Sequence, residues 1–288
     1  MRNIAAYILS QSTLVRGVAE VSAPHDILAF PFAIRRATIP ALHIPRLPKK
    51  ARPMTQELFR SDSYLRECEA VVTAVRERGL VLDRTVFYPQ GGGQPGDVGN
   101  IEHQHYGLLQ VTDTVTENDE IVHVVEGNIS TDLVGQKVLA SIDWDRRHRL
   151  MRMHTCMHLL CAVVTGGVTG GSIRDGSARL DFDLPDVLLD KEDITEKLNA
   201  LVASDRPVTP RWVDDAELDA HPELVRTMSV KPPRGGGMVR LLDIDGIDLQ
   251  PCGGTHVSRT GEIGKVRVKK IEKKGKHNRR VNIVFDEA

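Results

Sequence analysis

The chain has 288 residues, of which 41% are hydrophobic and 27% charged, and 38 basic residues nearly balance 39 acidic ones. At about 100–200 residues per domain, this length predicts two globular domains. No apolar run approaches the roughly 18 residues of a membrane-spanning helix, which excludes a spanning protein. Because four cysteines in a chain of this length do not make a disulfide scaffold, we expect a reducing, cytoplasmic compartment.

Residues 1–53 differ from the rest because six prolines interrupt every periodic segment. Prolines at this density block both helices and central strands. The acid-poor start faintly resembles an organelle transit peptide. We favour a disordered segment, or an extension produced by a start codon placed too far upstream, with Met54 as the natural beginning.

Short alternating segments after Met54 predict a run of strands. They are Cys68–Arg76, Leu80–Tyr88, Tyr106–Val115, Ile121–Val125 and Val138–Ile142. Strands at this spacing, with turns between them, predict a small antiparallel β-barrel over residues 54–144.

The pattern then changes to a helix over Arg146–Val164, which contains neither proline nor glycine and follows acidic residues that suit its amino end. This helix marks the entry to a second, α+β domain over residues 145–288. Within that domain we predict strands at Ser177–Phe182 and Val208–Val213, a helix at Asp193–Ser204, and a closing hairpin of Val266–Ile271 and Arg280–Phe285.

His154 and His158 are four residues apart on the predicted helix, so both imidazoles project from one face. A helix offers two ligands to one metal ion in this way, although two partly buried or solvated histidines would give the same spacing. The zinc-protease signature requires Glu directly after the first histidine. Thr155 occupies that position, which argues against a peptidase.

A second candidate ligand pair is Cys252 and His256, also four apart but separated by two glycines and therefore on a turn. Thiolate and imidazole suit Zn²⁺. Because 93 residues separate His158 from Cys252, a whole domain must fold to bring the pairs together. The alternative for Cys252 is a small buried thiol. Cys161 shares the face of His154, and we interpret it as core packing.

Residues 91–96 satisfy the pattern GxGxxG through Gly91, Gly93 and Gly96. No helix follows, which excludes a dinucleotide-binding loop, and no Lys-Ser/Thr follows, which excludes a phosphate-binding P-loop. Two interpretations stay open. The loop either brings backbone amides close to a ligand or forms a tight bulged turn at the barrel rim.

Charge is concentrated near the C-terminus, where residues 262–280 carry nine basic and two acidic side chains. Residues 1–53 are also basic, so the remainder of the chain is acidic. One basic stretch on an acidic body predicts a polyanionic partner approached from one side. The alternative is a solvated, charged hairpin.

Taken in this order, the segment Thr85–Asp97, the pair His154 and His158, and the segment Cys252–His256 resemble the editing module of alanyl-tRNA synthetase. They resemble the free-standing AlaX-type editing hydrolases more closely. The resemblance covers the chain from about Met54 to its end, and nothing in the chain resembles a synthetase catalytic core. It implies an α+β fold, in which a small antiparallel β-barrel precedes a zinc-containing editing domain of the threonyl/alanyl-tRNA synthetase type.

The resemblance implies hydrolysis of mischarged tRNA(Ala), chiefly the seryl ester, with the glycyl ester as a second candidate. The partner would be the acceptor end of tRNA(Ala) that carries a wrong amino acid, with no membrane involved. Alternatives are editing of a threonyl- or prolyl-type mischarged tRNA, or a structural-zinc RNA-binding module without hydrolysis. The oligomeric state stays open, with a monomer as one option.

The resemblance also assigns residues. One Zn²⁺ would be bound by His154, His158, Cys252 and His256. Catalytic roles fall on Thr85, Gln94, His158 and His256, with the Thr85 hydroxyl as a candidate contact of the serine hydroxyl. Gly91, Gly92 and Gly93 would form the substrate loop. The tRNA phosphates would be bound by Lys269, Lys270, Lys273, Lys274, Arg279 and Arg280. Whether His256 binds zinc or only orients the substrate stays open.

Overall fold

A computed structural model describes residues 54–185, 187–221, 225 and 238–286. The predicted N-terminal extension, residues 1–53, lies outside this part of the chain. Among the described helices, none combines the length and the apolar character that crossing a bilayer requires.

The first half of the described chain forms a closed barrel of six antiparallel strands, in the order β2-β3-β7-β6-β5-β8. These strands are β2 (Glu67–Val75), β3 (Gly79–Leu82), β5 (Gly99–His103), β6 (Gly107–Glu117), β7 (Glu120–Val125) and β8 (Lys137–Ile142), and a short parallel pair joins β1 (Gln56–Glu57) to β4 (Arg84–Thr85). Alternate residues point inward, as Val138, Ala140 and Ile142 do in β8. The predicted antiparallel barrel is confirmed.

Two details of the predicted barrel are wrong. The predicted strand Leu80–Tyr88 is divided, since β3 ends at Leu82 and β4 follows at Arg84. Asp83 lies between them, where its amide donates to the Val71 carbonyl of β2 at 2.9 Å and its carbonyl accepts from the Gln56 amide of β1 at 2.8 Å. Strand β5 was not predicted at all. It directly follows the glycine-rich loop, where its five residues, which include Gly99 and Asn100, carry little strand propensity.

Helix α1 (Trp144–Val163) is the predicted long helix, and it begins two residues earlier than expected. Asp143 caps it, since the Asp143 carboxylate accepts a hydrogen bond from the Arg146 amide at 3.1 Å. Most residues of α1 from Leu150 to Cys161 are buried in the core of the second half of the described chain. Cys161 lies in this core, as predicted.

Two sheets and two further helices complete the described structure. The four-stranded sheet has the order β14 (Val266–Lys274), β15 (Asn278–Phe285), β10 (Ser177–Asp183) and β9 (Gly167–Arg174), and the three-stranded sheet has the order β11 (Val208–Asp214), β12 (Met238–Ile244) and β13 (Asp248–Pro251). The helices are α2 (Lys191–Ala203) and α3 (Asp215–Ala220). The predicted strands, helix and hairpin of this part are confirmed, whereas β9, β12, β13 and α3 were missed.

A buried ion pair ties the start of α1 to the glycine-rich loop. The Arg147 guanidinium is 0% exposed and bonds the Asp97 carboxylate, with its Nε 2.9 Å from Oδ2. Arg147 also donates to the Val86 carbonyl at 2.7 Å. Asp97 in turn accepts a hydrogen bond from the Tyr88 amide at 2.6 Å. These contacts hold the loop against α1, although the predicted domain division at residue 144 stays a prediction.

Candidate metal centre

Four potential metal ligands converge at one point of the structure. His154 and His158 project from α1, and Cys252 and His256 lie in the loop that follows β13. Their ligand atoms all lie within 4.8 Å of one another. Cys252 Sγ is 3.6 Å from His154 Nε2 and 3.2 Å from His256 Nε2. The ligand atoms of a tetrahedral zinc ion are about 3.3–3.8 Å apart, so the cluster has the dimensions of a metal site.

A hydrogen bond orients each imidazole through its other ring nitrogen. His154 Nδ1 lies 2.8 Å from Gln94 Oε1, and His158 Nδ1 lies 2.9 Å from Asp248 Oδ2. Each of these oxygens accepts a hydrogen bond from the ring Nδ1–H, which leaves the Nε2 lone pair for a metal ion.

His256 has the same arrangement, with Nδ1 3.2 Å from Thr155 Oγ1. The Thr155 hydroxyl donates its own proton to the Met151 carbonyl at 3.0 Å, so its oxygen acts as the acceptor for the ring. The three histidines are therefore held in the tautomer that metal ligation requires.

Electrostatics support the same donor set. Burial alone raises the pKa of Cys252, but His154 and His256 outweigh it and hold the pKa well below its usual value, which favours a thiolate. Burial, together with the charge of His154, lowers the pKa of His256 well below its usual value, which favours a neutral ring. Burial also acts to lower the pKa of His158, yet the hydrogen bonds to Asp248 and Cys252 raise it to about 10. A metal ion would therefore displace a proton from His158.

Gln94 joins the glycine-rich loop to both ligand pairs. Its Oε1 accepts from His154, while its Nε2 donates to Thr255 Oγ1 at 2.8 Å. Gly254 permits this close approach, because a Cβ atom at that position would lie 2.2 Å from His154 Cε1 and 2.9 Å from Gln94 Oε1. The Gly-Gly of the cysteine loop therefore has a steric reason.

The glycine-rich loop is a tight turn packed against β9. The amide and carbonyl groups of Gly91 and Gln94 exchange hydrogen bonds of 3.1 and 2.9 Å. Gly93 has φ of +84°, and its carbonyl accepts from the Ile173 amide at 2.8 Å. A Cβ atom on Gly92 would meet nothing within 4 Å, so this residue faces open space. The role of the three glycines as a substrate loop stays a prediction.

Comparison with known proteins identifies the family of the chain. Residues 56–146 match a family model described as class II (A) tRNA synthetases, and residues 239–282 match the threonyl and alanyl tRNA synthetase second additional domain. The alanyl-tRNA editing proteins AlaX-M of Methanosarcina acetivorans and Saccharolobus solfataricus are 37% and 35% identical to the chain, and each alignment covers 79% of the chain and 98% of the relative. The chain belongs to the AlaX-M family of alanyl-tRNA editing proteins.

The chain also resembles one part of a much longer protein. The alanine–tRNA ligase of Saccharolobus islandicus is 36% identical over 76% of the chain, but the alignment covers only 25% of the ligase. The chain thus matches a quarter of the ligase and nearly all of each AlaX-M relative.

Thr85 lies in β4 and is fully buried. Its hydroxyl donates to His123 Nε2 at 2.7 Å and accepts from the Phe87 amide at 3.0 Å. Burial lowers the pKa of His123 to about 4, so its ring is neutral. Its Nδ1 donates to the Leu80 carbonyl at 3.1 Å, which leaves Nε2 as the acceptor. Both of these partners are internal, so no described feature opens the Thr85 hydroxyl to a substrate hydroxyl. Its role as a serine contact stays a prediction.

Thr85→Val keeps the shape of the side chain and deletes its hydrogen bonds. A neutral hydrogen bond contributes about 0.5–1.5 kcal/mol. We therefore expect seryl-tRNA deacylation efficiency to fall about three- to tenfold, with glycyl-tRNA deacylation almost unchanged. The measurement is kcat/KM on both esters, with Thr73→Val in strand β2 as the control. Equal losses on the two esters would mean that Thr85 supports the barrel and does not contact the side chain.

The six predicted phosphate-binding residues differ in how their charges are used. Arg280 forms a two-point ion pair with Asp181 at 2.7 and 2.8 Å, and Arg279 is 8% exposed. Lys270 and Lys274 both pair with Glu272. Lys269 and Lys273 are exposed and have no ion pair within the described part of the chain. Of the six residues, Lys269 and Lys273 are therefore the ones most available to bind phosphate.

Apart from Gln94, sequence reasoning missed the residues that orient the ligands. Asp248 and Gln250 alternate along β13 just before Cys252, and the Gln250 amide donates to both Asp248 oxygens at 2.8 and 2.9 Å. The signal that could have identified Asp248 and Gln250 is their spacing, because polar residues at alternate positions of a strand share one face and here they directly precede the ligand Cys252. Arg240 was missed as well. Its Nη1 donates to the carbonyls of Cys252 and Gly254 at 2.8 and 3.0 Å.

Proposed function

We propose that this AlaX-M family member hydrolyses mischarged tRNA(Ala) in the cytoplasm, with the seryl ester as chief substrate and the glycyl ester as second. The His154, His158, Cys252 and His256 cluster carries the proposal, since it supplies a thiolate and three oriented imidazoles. Thiolate and imidazole nitrogen are the donors of zinc sites, so we propose Zn²⁺, one ion per chain.

The chemical need for such an enzyme follows from side-chain size. A synthetase pocket for alanine cannot strongly reject a residue that adds one hydroxyl or lacks one methyl group. A second site that accepts serine and leaves alanine uncleaved removes the error. Ester hydrolysis is downhill, so this site needs only to orient the 3′-terminal ester and a water molecule.

The residues around the cluster would have separate roles in metal binding, ligand positioning and substrate binding. When bound, zinc would supply a Lewis acid that activates water or anchors the substrate amino group. Gln94 and Asp248 hold His154 and His158 in position through their Nδ1 atoms. The turn at Gly92 has open space beside it, and there backbone amides would approach the ester.

A structural-zinc RNA-binding module is the second candidate, and one observation favours it. Structural zinc sites have four protein ligands, whereas catalytic sites usually have three and one open position. Here four side chains converge, so hydrolysis at a bound ion would require His256 to act beside the ion and not as its fourth ligand, or a fifth coordination position. A module of this kind would bind tRNA and leave the ester intact.

The test is a panel of tRNA esters incubated with the purified chain. We expect release of serine from seryl-tRNA(Ala), slower release of glycine, and no release of alanine. Threonyl- and prolyl-tRNA are the matched alternatives. Binding of tRNA without release of any amino acid would favour the RNA-binding module and contradict the proposal.

The C-terminal lysines would bind tRNA phosphates. Replacing Lys269 and Lys273 by alanine removes two unpaired charges, so affinity should fall alike for correctly charged and mischarged tRNA. Because fewer counterions are released, the slope of log affinity against log salt should become shallower by about 1.4–1.8. Filter binding over a range of salt concentrations measures this slope.

The matched control removes two exposed lysines of α2, Lys191 and Lys197. This variant should keep the slope of the wild-type chain. If both double variants change the slope equally, the hairpin is no more than a solvated charged surface.

A further inference from the structure

Two arginine side chains lie against the Cys252–Gly254 segment of the ligand loop. Arg240 bonds the carbonyls at both ends of this segment, as described above. Arg60 reaches its middle, because the Arg60 Nη1 lies 3.2 Å from the position that a Cβ atom on Gly253 would occupy. The two guanidinium groups therefore flank one short stretch of backbone directly beside a candidate metal ligand.

Arg240 is an unusual cation because it is buried and, among the described residues, has no carboxylate partner. Its side chain is 6% exposed, and its Nε is the one buried side-chain nitrogen or oxygen without a hydrogen-bond partner among the described residues. Buried guanidinium groups are normally paired, since an unpaired charge in the interior is costly. No carboxylate in the described part of the chain pairs with Arg240.

Arg60 adds a second positive charge to the same place. Its Nε pairs with Glu57, while the Nη1 end faces Gly253. Arg60 and Arg240 are close enough to repel each other electrostatically, and both interact with Tyr88 and Cys252. Glu57 compensates the charge of Arg60 at its Nε end, but an anion bound between the two guanidinium groups would still relieve their mutual repulsion.

We infer that Arg60 and Arg240 form a phosphate subsite for the phosphodiester on the 5′ side of the tRNA's terminal adenosine. The inference rests on the proposed function. In that substrate the ester is attached to the terminal ribose, and the nearest negative charge is the phosphate on the other side of the same sugar. Guanidinium groups bind phosphate through paired N–H donors, so this contact would fix the ribose while the ester lies at the metal ligands.

The experiment uses a seryl amide of 3′-amino-3′-deoxyadenosine, which mimics the ester and resists hydrolysis, with and without a 5′-phosphate. Calorimetry on the full chain gives the two dissociation constants and their ratio. For the wild-type chain we expect the phosphorylated analogue to bind at least about tenfold more tightly. Arg60→Gln should reduce that advantage to about threefold or less. Arg78→Gln is the matched control, because Arg78 is an exposed barrel residue paired with Glu117.

Arg240→Gln is the second variant, and it should reduce the advantage further. A disturbed ligand loop would weaken the binding of both analogues alike, so the ratio of the two dissociation constants within one variant would not change. A folded variant with weaker overall binding therefore still tests the phosphate contact. A wild-type ratio near one, or a ratio unchanged in both Arg60→Gln and Arg240→Gln, would overturn the subsite. Failure to hydrolyse seryl-tRNA(Ala) would overturn the proposed function and leave this binding ratio unaffected.

Discussion

Cys252→Ala should lose stoichiometric zinc and, with it, nearly all deacylation. The variant removes the one thiolate of the cluster, whose pKa the neighbouring His154 and His256 hold well below its usual value. Losing a ligand should cost more than the about 10–100-fold in affinity that follows from losing a ligand's hydrogen-bond partner. His158→Ala should behave in the same way. Metal content after dialysis and serine release from seryl-tRNA(Ala) are the two measurements.

Cys161→Ala is the matched control for these ligand variants. Cys161 is another cysteine of the same core, on α1, and it does not belong to the ligand cluster. This variant should retain zinc even if its stability falls slightly. Full zinc content in both Cys252→Ala and His158→Ala would contradict the ligand assignment.

Asp248→Asn should weaken zinc binding by about 10–100-fold without removing a ligand. The Asp248 carboxylate accepts from His158 Nδ1 through Oδ2, and the Gln250 amide donates to both of its oxygens. An asparagine amide nitrogen at either oxygen position would face one of these N–H donors. With the amide nitrogen at the Oδ2 position, His158 loses its acceptor. With it at the Oδ1 position, His158 and Gln250 must share the remaining oxygen, and in both cases the negative charge beside the His158 ring is lost.

Competition with a zinc chelator measures this affinity directly. Asp245→Asn is the matched control, because Asp245 lies three residues earlier and is exposed. Its affinity for zinc should equal that of the wild-type chain. If Asp248→Asn also binds zinc with wild-type affinity, the carboxylate does not orient His158 in the metal-bound protein.

The elements that sequence patterns predicted are those whose local preferences agree with the fold. Helix α1 has a capping residue at Asp143 and no proline or glycine, so the local signal alone defined it. The barrel strands were visible through alternation, as in β8. Strand β9 was missed because its glycines at positions 167, 170 and 171 carry almost no strand propensity. Pairing with β10 and contact with the glycine-rich loop, both long-range, determine it.

The candidate site divides in the same way. Ligand spacing, four residues in each pair, pointed to His154, His158, Cys252 and His256, and the structure brings all four together. The side chains that orient the rings come from three separate parts of the chain. Gln94 lies in the glycine-rich loop, Thr155 in α1 and Asp248 in β13. No spacing within the sequence connects these residues, so only the folded chain reveals that they act on one cluster.

The most direct test of the account is the release of amino acids from tRNA(Ala) charged with serine, glycine or alanine, with and without a zinc chelator. The account predicts rapid serine release, slower glycine release and intact alanyl-tRNA(Ala). The chelator should abolish release, and added Zn²⁺ should restore it. Serine release that persists after complete removal of zinc, or equal release of alanine, would contradict it.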